Sequence, residues 1–308
     1  MKAAIDIGTN TVLLLIADIT GTVIKVIHEE QRVPRLGKGV DNSKLLHAES
    51  IARVLNCIKE YQAIIEKDFP QVNEVIITAT SAVRDAQNKA EFIQLIKDET
   101  GLSVQLLSGD EEAQHTFEGA ISVLDIDDND SVFVLDIGGG STEVALGTSK
   151  GIVDFHSFDM GSVRFKERFL LRNPPYSEEI FECKEEIRRL FGMKKFKVPK
   201  KVSAIGVAGT ATSLAAIDLQ LDEYDKKALN GHIINREKLS KSVEMFSLHT
   251  YDQLLELSPT LLKGREDIFL TGLLILEGFM KFYNLEVVKV STGGIRHGAL
   301  LINKKDQK

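Results

Sequence analysis

The stretch Val132-Phe-Val-Leu-Asp-Ile-Gly-Gly-Gly-Ser-Thr-Glu143 runs from an apolar strand through a carboxylate into glycines, hydroxyls and a second carboxylate. Val144-Ala-Leu146 then resumes the apolar pattern, so the order is strand, turn, strand. A turn without Cβ atoms lets backbone N–H groups approach an anion closely and form a concave nest for it. Ser141 and Thr142, with Asp136 and Glu143 beside that nest, suit a phosphate and its divalent metal. The plainer alternative is a hairpin turn with spare glycines.

A second copy speaks against the plainer reading. Ala3-Ala-Ile-Asp6-Ile-Gly8-Thr-Asn10-Thr11 repeats the order strand, Asp, apolar residue, Gly, small polar residues, and continues as Val12-Leu-Leu-Leu-Ile-Ala17. Two Asp-Ile-Gly strings, at Asp6 and Asp136, imply a duplicated unit with two phosphate loops facing one cleft. No Gly-x-x-x-x-Gly-Lys-Ser/Thr string is present, which excludes a P-loop. Gly138, Gly139 and Gly140 lead into a strand rather than a helix, which argues against a dinucleotide-binding turn.

The chain of 308 residues is long enough for two domains, and its 43% hydrophobic and 27% charged residues are ordinary for a globular protein. A net charge of −7 argues against wholesale nucleic-acid binding. Cys57 and Cys183 lie far apart, so no structural disulfide is expected and a reducing cytoplasm fits. Asp6, Asn10 and Asp18 break the apolar N-terminus, which disfavours a secretion signal. Leu270 to Met280 is the most apolar segment, and Glu277 interrupts it well short of a membrane span. The expectation is a soluble, cytoplasmic chain with neither nucleic acid nor membrane as partner.

Along the chain, Ser43 to Lys67 carries apolar residues at helical spacing and Pro70 ends it. Glu74 to Ala79 reads as a buried strand that delivers Thr80, Ser81 and Arg84 at its carboxyl end, where ligands bind in open α/β sheets. Arg84 is a candidate phosphate clamp, its planar fork matching phosphate oxygens, with an ion pair to Asp85 as the alternative. Ser108 opens a helix with three acidic residues in its first turn. For Asp110 and Glu111 a capping and dipole role is favoured, and Glu112 stays open, since only one of three consecutive helical residues can face a given cleft. The acidic run Asp125 to Asp130 reads as a crossover, which divides the chain into domains 1–127 and 128–308, with a terminal helix able to pack back on the first. In the second domain, Gly161 and Ser162 open a helix whose N–H groups could meet an anion. Gly209 and Thr210 form a third glycine-rich turn and Gly294 a fourth. A helix is expected over 266–282, and the polar tail Lys304 to Lys308 is expected to fray.

These strings resemble the Ppx/GppA family within the acetate kinase, sugar kinase, Hsp70 and actin superfamily. The resemblance rests on both Asp-Ile-Gly loops, Ala79 to Ala86, Ser108 to Ala113, Gly161 to Arg164, Gly206 to Thr212 and Gly294 to Gly298. It implies an α/β fold of two ribonuclease H-like (actin-like ATPase) domains, each a mixed central sheet flanked by helices, in a short two-domain form. It implies hydrolysis of a terminal phosphoanhydride, with inorganic polyphosphate as substrate, or alternatively guanosine pentaphosphate or a nucleoside triphosphate. A non-catalytic alarmone or nucleotide sensor is the reading from a different class. By the same resemblance Glu112 is the general base, Asp136 and Arg84 act with it, and Asp136 and Glu143 serve Mg²⁺ or Mn²⁺. Phosphate contacts fall to Asp6, Gly8, Thr9, Asn10, Thr11, Ser81, Gly138, Gly139, Gly140, Ser141, Thr142, Gly209 and Thr210, and the assembly to a homodimer.

Overall fold

Asp6 and Asp136 each occupy the last position but one of a strand that turns back into an antiparallel neighbour and runs parallel to the neighbour on its other side. The computed structural model describes residues 1–127 and 130–302. The tail 304–308 and part of the acidic run 125–130 therefore lie outside the described residues.

The first unit begins with β1 (Lys2–Ile7), β2 (Val12–Thr20) and β3 (Val23–Arg32), followed by α1 (Val40–Ser43) and α2 (Ala48–Asp68). Then come β4 (Glu74–Ala79), α3 (Ser81–Asp85), α4 (Lys89–Thr100), β5 (Val104–Leu106) and α5 (Gly109–Ile121). Its sheet has the order β3-β2-β1-β4-β5, antiparallel on the β2 side of β1 and parallel on the β4 side. Strand alternation distributes β1 between two layers: Ala3, Ile5 and Ile7 pack with Val54, Ile58 and Tyr61 of α2, while Ala4 points the other way.

The second unit opens with β6 (Ser131–Ile137), β7 (Thr142–Thr148) and β8 (Gly151–Phe158), then α6 (Ser162–Phe169), α7 (Ser177–Met193), β9 (Val202–Val207) and α8 (Ala208–Asp218). It continues through α9 (Lys226–Leu229), β10 (Ile233–Asn235), α10 (Arg236–Ser247), α11 (Tyr251–Leu257), α12 (Phe269–Phe282) and β11 (Val287–Val290). The order β10-β11-β9-β6-β7-β8 repeats the three-strand meander and the two parallel neighbours of the first sheet, and adds one edge strand. Both units are thus ribonuclease H-like, with mixed sheets flanked by helices. The core of the second unit centres on Phe133, Phe191, Phe279 and the apolar α12.

Three boundaries differ from the sequence reading. The long helix read from Ser43 begins only at Ala48, because α1 ends at Ser43 and Lys44 takes a left-handed conformation. α12 starts at Phe269 rather than at 266, because Gly264 takes φ +79° and the chain turns through 265–268 first. The last helix, α13 (Ile295–Leu301), belongs to the first unit, which comprises Met1–Ser122 and the segment from Gly293; the second is Val123–Thr292. Read from the sequence, the cut falls at 127/128, with a terminal helix able to pack back on the first domain. Ala299 and Leu300 of α13 cover Ala4, Leu15 and Ala17, the face of the first sheet that α2 does not reach.

Among the described residues no helix is long and apolar enough to cross a membrane. Cys57 and Cys183 are both buried free thiols, and burial pushes the Cys183 thiol up to about 12.

Candidate active site

In the first hairpin Gly8 N–H donates to Thr11 O at 2.9 Å; in the second Gly138 N–H donates to Ser141 O at 3.0 Å. In each unit a following segment then donates to the carbonyls of the loop. Arg35 N–H reaches Asn10 O at 3.0 Å and Gly37 N–H reaches Thr9 O at 2.7 Å. Ser162 N–H reaches Gly138 O at 2.9 Å, Val163 N–H reaches Gly139 O at 2.9 Å, and Arg164 Nε reaches Gly140 O at 2.6 Å. In a trans peptide the N–H points opposite to the C=O of the same plane. Anchoring the carbonyls of Thr9 and Asn10 therefore turns the N–H groups of Asn10 and Thr11 away from the anchor. By the same geometry the N–H groups of Gly139, Gly140 and Ser141 turn away from α6. Both loops are built as donor-bearing bends, which is the geometry an anion nest needs.

The N–H groups of Ser162, Val163 and Arg164 at the start of α6 are consumed in holding the second loop, so Ser162 supports the nest and its N–H does not meet an anion as the sequence allowed. A Cβ at Gly161 would lie 2.4 Å from Gly139 O and 2.6 Å from Gly140 C, and one at Gly37 would lie 2.2 Å from Thr9 Cγ2. Each loop thus rests on a glycine contributed from outside the hairpin. Gly161 lies in the Gly161–Arg164 string noted in the sequence, but its part as a support comes only from the packing; Gly37 carries no comparable motif.

In the first unit the parallel pairing Ile7↔Ala79 brings the loop after β1 beside the turn after β4. Thr9 Oγ1 and Ser81 Oγ lie 3.0 Å apart, both buried. Asp6, also buried, accepts from Thr78 Oγ1 at 3.0 Å, and burial raises its pKa to about 6 against the opposing effects of Thr78 and Arg296. Leu107 N–H bonds to Ala79 O, so α5 starts beside the same strand ends. Its three acidic residues then separate. Glu111 closes a capping box with Ser108, Asp110 is exposed, and Glu112 is 4% exposed. Arg84 Nη1 donates to Glu112 Oε2 at 2.9 Å and to Leu107 O at 3.0 Å. The structure therefore gives Arg84 a carboxylate partner 28 residues away, Glu112, which links the end of β4 to the first turn of α5.

In the second unit Asp136 and Glu143 are opposite one another in the β6–β7 ladder, so their side chains share one face of the sheet. Both are buried, and Ser157 Oγ donates to Glu143 Oε1 at 2.6 Å. Thr142 Oγ1 donates to Met160 O at 2.5 Å and is thereby structural, whereas Ser141 Oγ is 1% exposed and has no hydrogen-bond partner among the described residues. Two carboxylates and a buried hydroxyl form an all-oxygen donor set, which fits a hard divalent cation that shares its shell with water and phosphate. Among the described residues no cluster of three or more His, Cys, Asp and Glu side chains is arranged to hold a metal without such help.

The pairing Asp136↔Val207 brings the second loop beside the start of α8. There Ala208 takes φ 61°, a left-handed conformation that is costly for a residue with a Cβ and concentrates at functional turns. A Cβ on Gly209 would lie 1.4 Å from Arg265 Nη1, so the glycine makes room for that guanidinium. Sequence reading missed Arg265, because a single arginine between Gly264 and an acidic pair carries no periodic or motif signal. The Gly294 turn has a different role from the other three. Gly294 O packs against Gly119 and Gly298 packs against His115 O, where added Cβ atoms would sit at 2.0 and 1.9 Å. These glycines bring α13 and α5 backbone to backbone.

Duplicated ribonuclease H-like units with donor-bearing hairpin loops define a phosphate-handling enzyme class, and comparison with known proteins narrows it. The model of the Ppx/GppA phosphatase family matches residues 15–306. Exopolyphosphatase 2 of Mycobacterium tuberculosis is 32% identical over 286 residues, covering 89% of this chain and 88% of that protein. The bifunctional 3-dehydroquinate synthase/phosphatase of Fusobacterium nucleatum is 34% identical over 312 residues, covering 98% of this chain and 46% of the relative, so the chain spans about half of that protein's length. The crystal structure of the Aquifex aeolicus Ppx/GppA family member superposes with a TM-score of 0.82 at 28% identity, covering 97% of this chain and 95% of the other. That of an exopolyphosphatase from Cytophaga hutchinsonii superposes with a TM-score of 0.88 at 25% identity, covering 97% and 96%. The chain belongs to the Ppx/GppA phosphatase family. It is an enzyme, a hydrolase of phosphoanhydrides.

Proposed function

We propose that this protein is an exopolyphosphatase, removing the terminal phosphate of inorganic polyphosphate as orthophosphate. The observation that carries the reading is Glu112: a buried carboxylate in the first turn of α5, oriented by Arg84 at 2.9 Å. Desolvating a carboxylate costs several kcal/mol. A guanidinium partner offsets that cost and fixes the direction of the acid, as a general base requires.

In this reading Glu112 takes a proton from the water that attacks the terminal phosphorus. The new P–O bond forms as the anhydride P–O bond breaks, giving orthophosphate and a chain one unit shorter. The N–H groups turned outward from each hairpin loop, with Ser81 and Thr9 in the first unit and Gly209 and Thr210 in the second, offset charge on phosphoryl oxygens. Asp136 and Glu143, with Ser141 Oγ, would hold Mg²⁺ (or Mn²⁺), which neutralises phosphate charge when bound. The buried free thiols suit a reducing compartment, and we place the reaction in the cytoplasm.

The test is phosphate release by the purified protein with Mg²⁺, supplied in parallel with long-chain polyphosphate, guanosine pentaphosphate and ATP. A kcat/KM highest for polyphosphate supports the assignment. A clear preference for guanosine pentaphosphate or ATP would replace it, and binding without turnover of any of them would favour a sensor.

A further inference from the structure

Among the described residues the chain passes from one unit to the other at two places, Ser122–Val123 and Thr292–Gly293. These crossings are far apart in sequence, yet one side chain holds both. Asn230 Nδ2 donates to Val123 O at 2.6 Å, while Asn230 Oδ1 accepts from Thr292 N–H at 3.1 Å and from Thr292 Oγ1 at 3.2 Å. The two backbone partners fix which way the amide faces, since a carbonyl needs the nitrogen and an N–H needs the oxygen. A carboxylate has no proton for Val123 O, and an aliphatic side chain serves neither partner.

Asn230 is itself anchored in the second sheet. Its N–H donates to Lys226 O at 3.0 Å, and the next residue, Gly231, donates to Val290 O at 2.8 Å. Val290 N–H returns to His232 O at 2.8 Å, and the fully buried Ser291 donates through its N–H to Gly206 O of β9 at 3.0 Å. The crossings are also tied to each other within the first unit. Ser122 Oγ donates to Gly119 O at 2.9 Å, and a Cβ added to Gly119 would lie 2.0 Å from Gly294 O. Asn230 therefore closes, in the second unit, a link that backbone contact closes in the first.

We propose that Asn230 is a positioning residue for the reaction: it binds the two crossings into a single joint, on which α5 and Glu112 are carried. α5 ends at Ile121, directly before the first crossing, so freedom at Val123 passes into a rigid helix. At about 1.5 Å of rise per residue, Glu112 lies about 14 Å back along that helix, and a rotation of about 4° at its end moves a group at that distance by about 1 Å. A misplacement of about 1 Å can lower a rate by about 10²-fold. The kinetic consequence rests on the reading of Glu112 as the general base; the joint itself does not.

The test compares Asn230→Leu and Asn230→Asp in the full chain by amide hydrogen exchange and by steady-state phosphate release. Leu removes all three bonds. Exchange should rise by about tenfold or more at Thr292 and over 122–124, with β6, β9 and β11 unchanged. Asp keeps an oxygen for Thr292 and has no proton for Val123 O, so exchange should rise over 122–124 alone. In Asn230→Leu kcat should fall by about tenfold or more. In a Glu112→Gln background the same substitution should cost less than about threefold, because the loss acts through Glu112. Unchanged exchange at both crossings in Asn230→Leu overturns the joint, whatever the substrate proves to be. Exchange rising throughout the second sheet makes Asn230 a structural residue of that unit and overturns the positioning role. Loosened crossings with unaltered kcat, or an equal loss in both backgrounds, overturn the link to Glu112. Should guanosine pentaphosphate or ATP be hydrolysed in place of polyphosphate, the proposed function fails while the same kinetic comparison, run on that substrate, still decides the role of Asn230.

Discussion

Glu111 and Glu112 are neighbours in the chain but lie about 100° apart around α5, and that rotation separates their roles. Glu111 turns back to close the cap on Ser108, while Glu112 is buried against Arg84. Glu112→Gln keeps the shape and removes the basic oxygen. We expect kcat for polyphosphate to fall by about 10²–10⁴-fold, with substrate affinity within a few-fold of wild type by equilibrium binding; unchanged turnover would remove Glu112 from the role. Asp6 makes a separate prediction in stability. Its folded pKa of about 6 lies above the ordinary 3.8 of an aspartate, because burial disfavours the anion. The stabilising contribution of the protonated form is therefore complete below pH 3.8, shrinks as pH rises towards 6 and is gone above it. Asp6→Asn should remove that loss, so the stability gap between variant and wild type should grow by on the order of 3 kcal/mol across the window. Denaturant titrations at pH 4 and pH 7 measure the gap, and a gap independent of pH would contradict it. The candidate carboxylates were legible as residues in a pattern. Which of the three acids at the start of α5 is buried was not, because each of them suits a first helical turn equally well.

At the scale of elements, the two hairpins are the most legible part of the chain. Continuous apolar runs, a carboxylate near the strand end and a turn poor in side chains recur at 2–17 and 131–148, and the sheets place them equivalently. What supports them was not legible. Gly161 has an extended backbone, so its need for glycine comes from the second loop packed on it and not from its own dihedral angles. Gly161→Ala should push Gly139 and Gly140 out of register with α6, costing about 1–3 kcal/mol and lowering kcat/KM by at least tenfold. Thermal melts and phosphate release together check this. A loss of stability with full activity would show that the outward aim of the loop N–H groups does not matter to the reaction. Arg265 illustrates the same limit: its position over Gly209 depends on a turn far along the chain, and no residue near it announces the contact.

For the molecule as a whole, the first unit is assembled from both ends of the described chain. α13 covers Ala4, Leu15 and Ala17 and packs on α5 through Gly119 and Gly298, so the helix that carries Glu112 is held by the last described helix. Truncation after Thr292 should therefore destabilise the first unit selectively. In hydrogen exchange, β1, β2 and α5 should lose protection while β6, β7 and β9 keep theirs. Equal loss in both units would contradict the division at Ser122 and Gly293. The amino-acid sequence by itself determined the duplicated Asp-Ile-Gly hairpins, the apolar runs and helix periods around them and the family, because apolar runs and side-chain-poor turns are local properties. Only the tertiary structure decided which acid Arg84 holds, which glycines support the loops and how α13 meets α5 through Gly119 and Gly298. Each of those depends on close approach between segments distant in sequence, and steric fit at a few ångströms leaves no periodic trace in either segment.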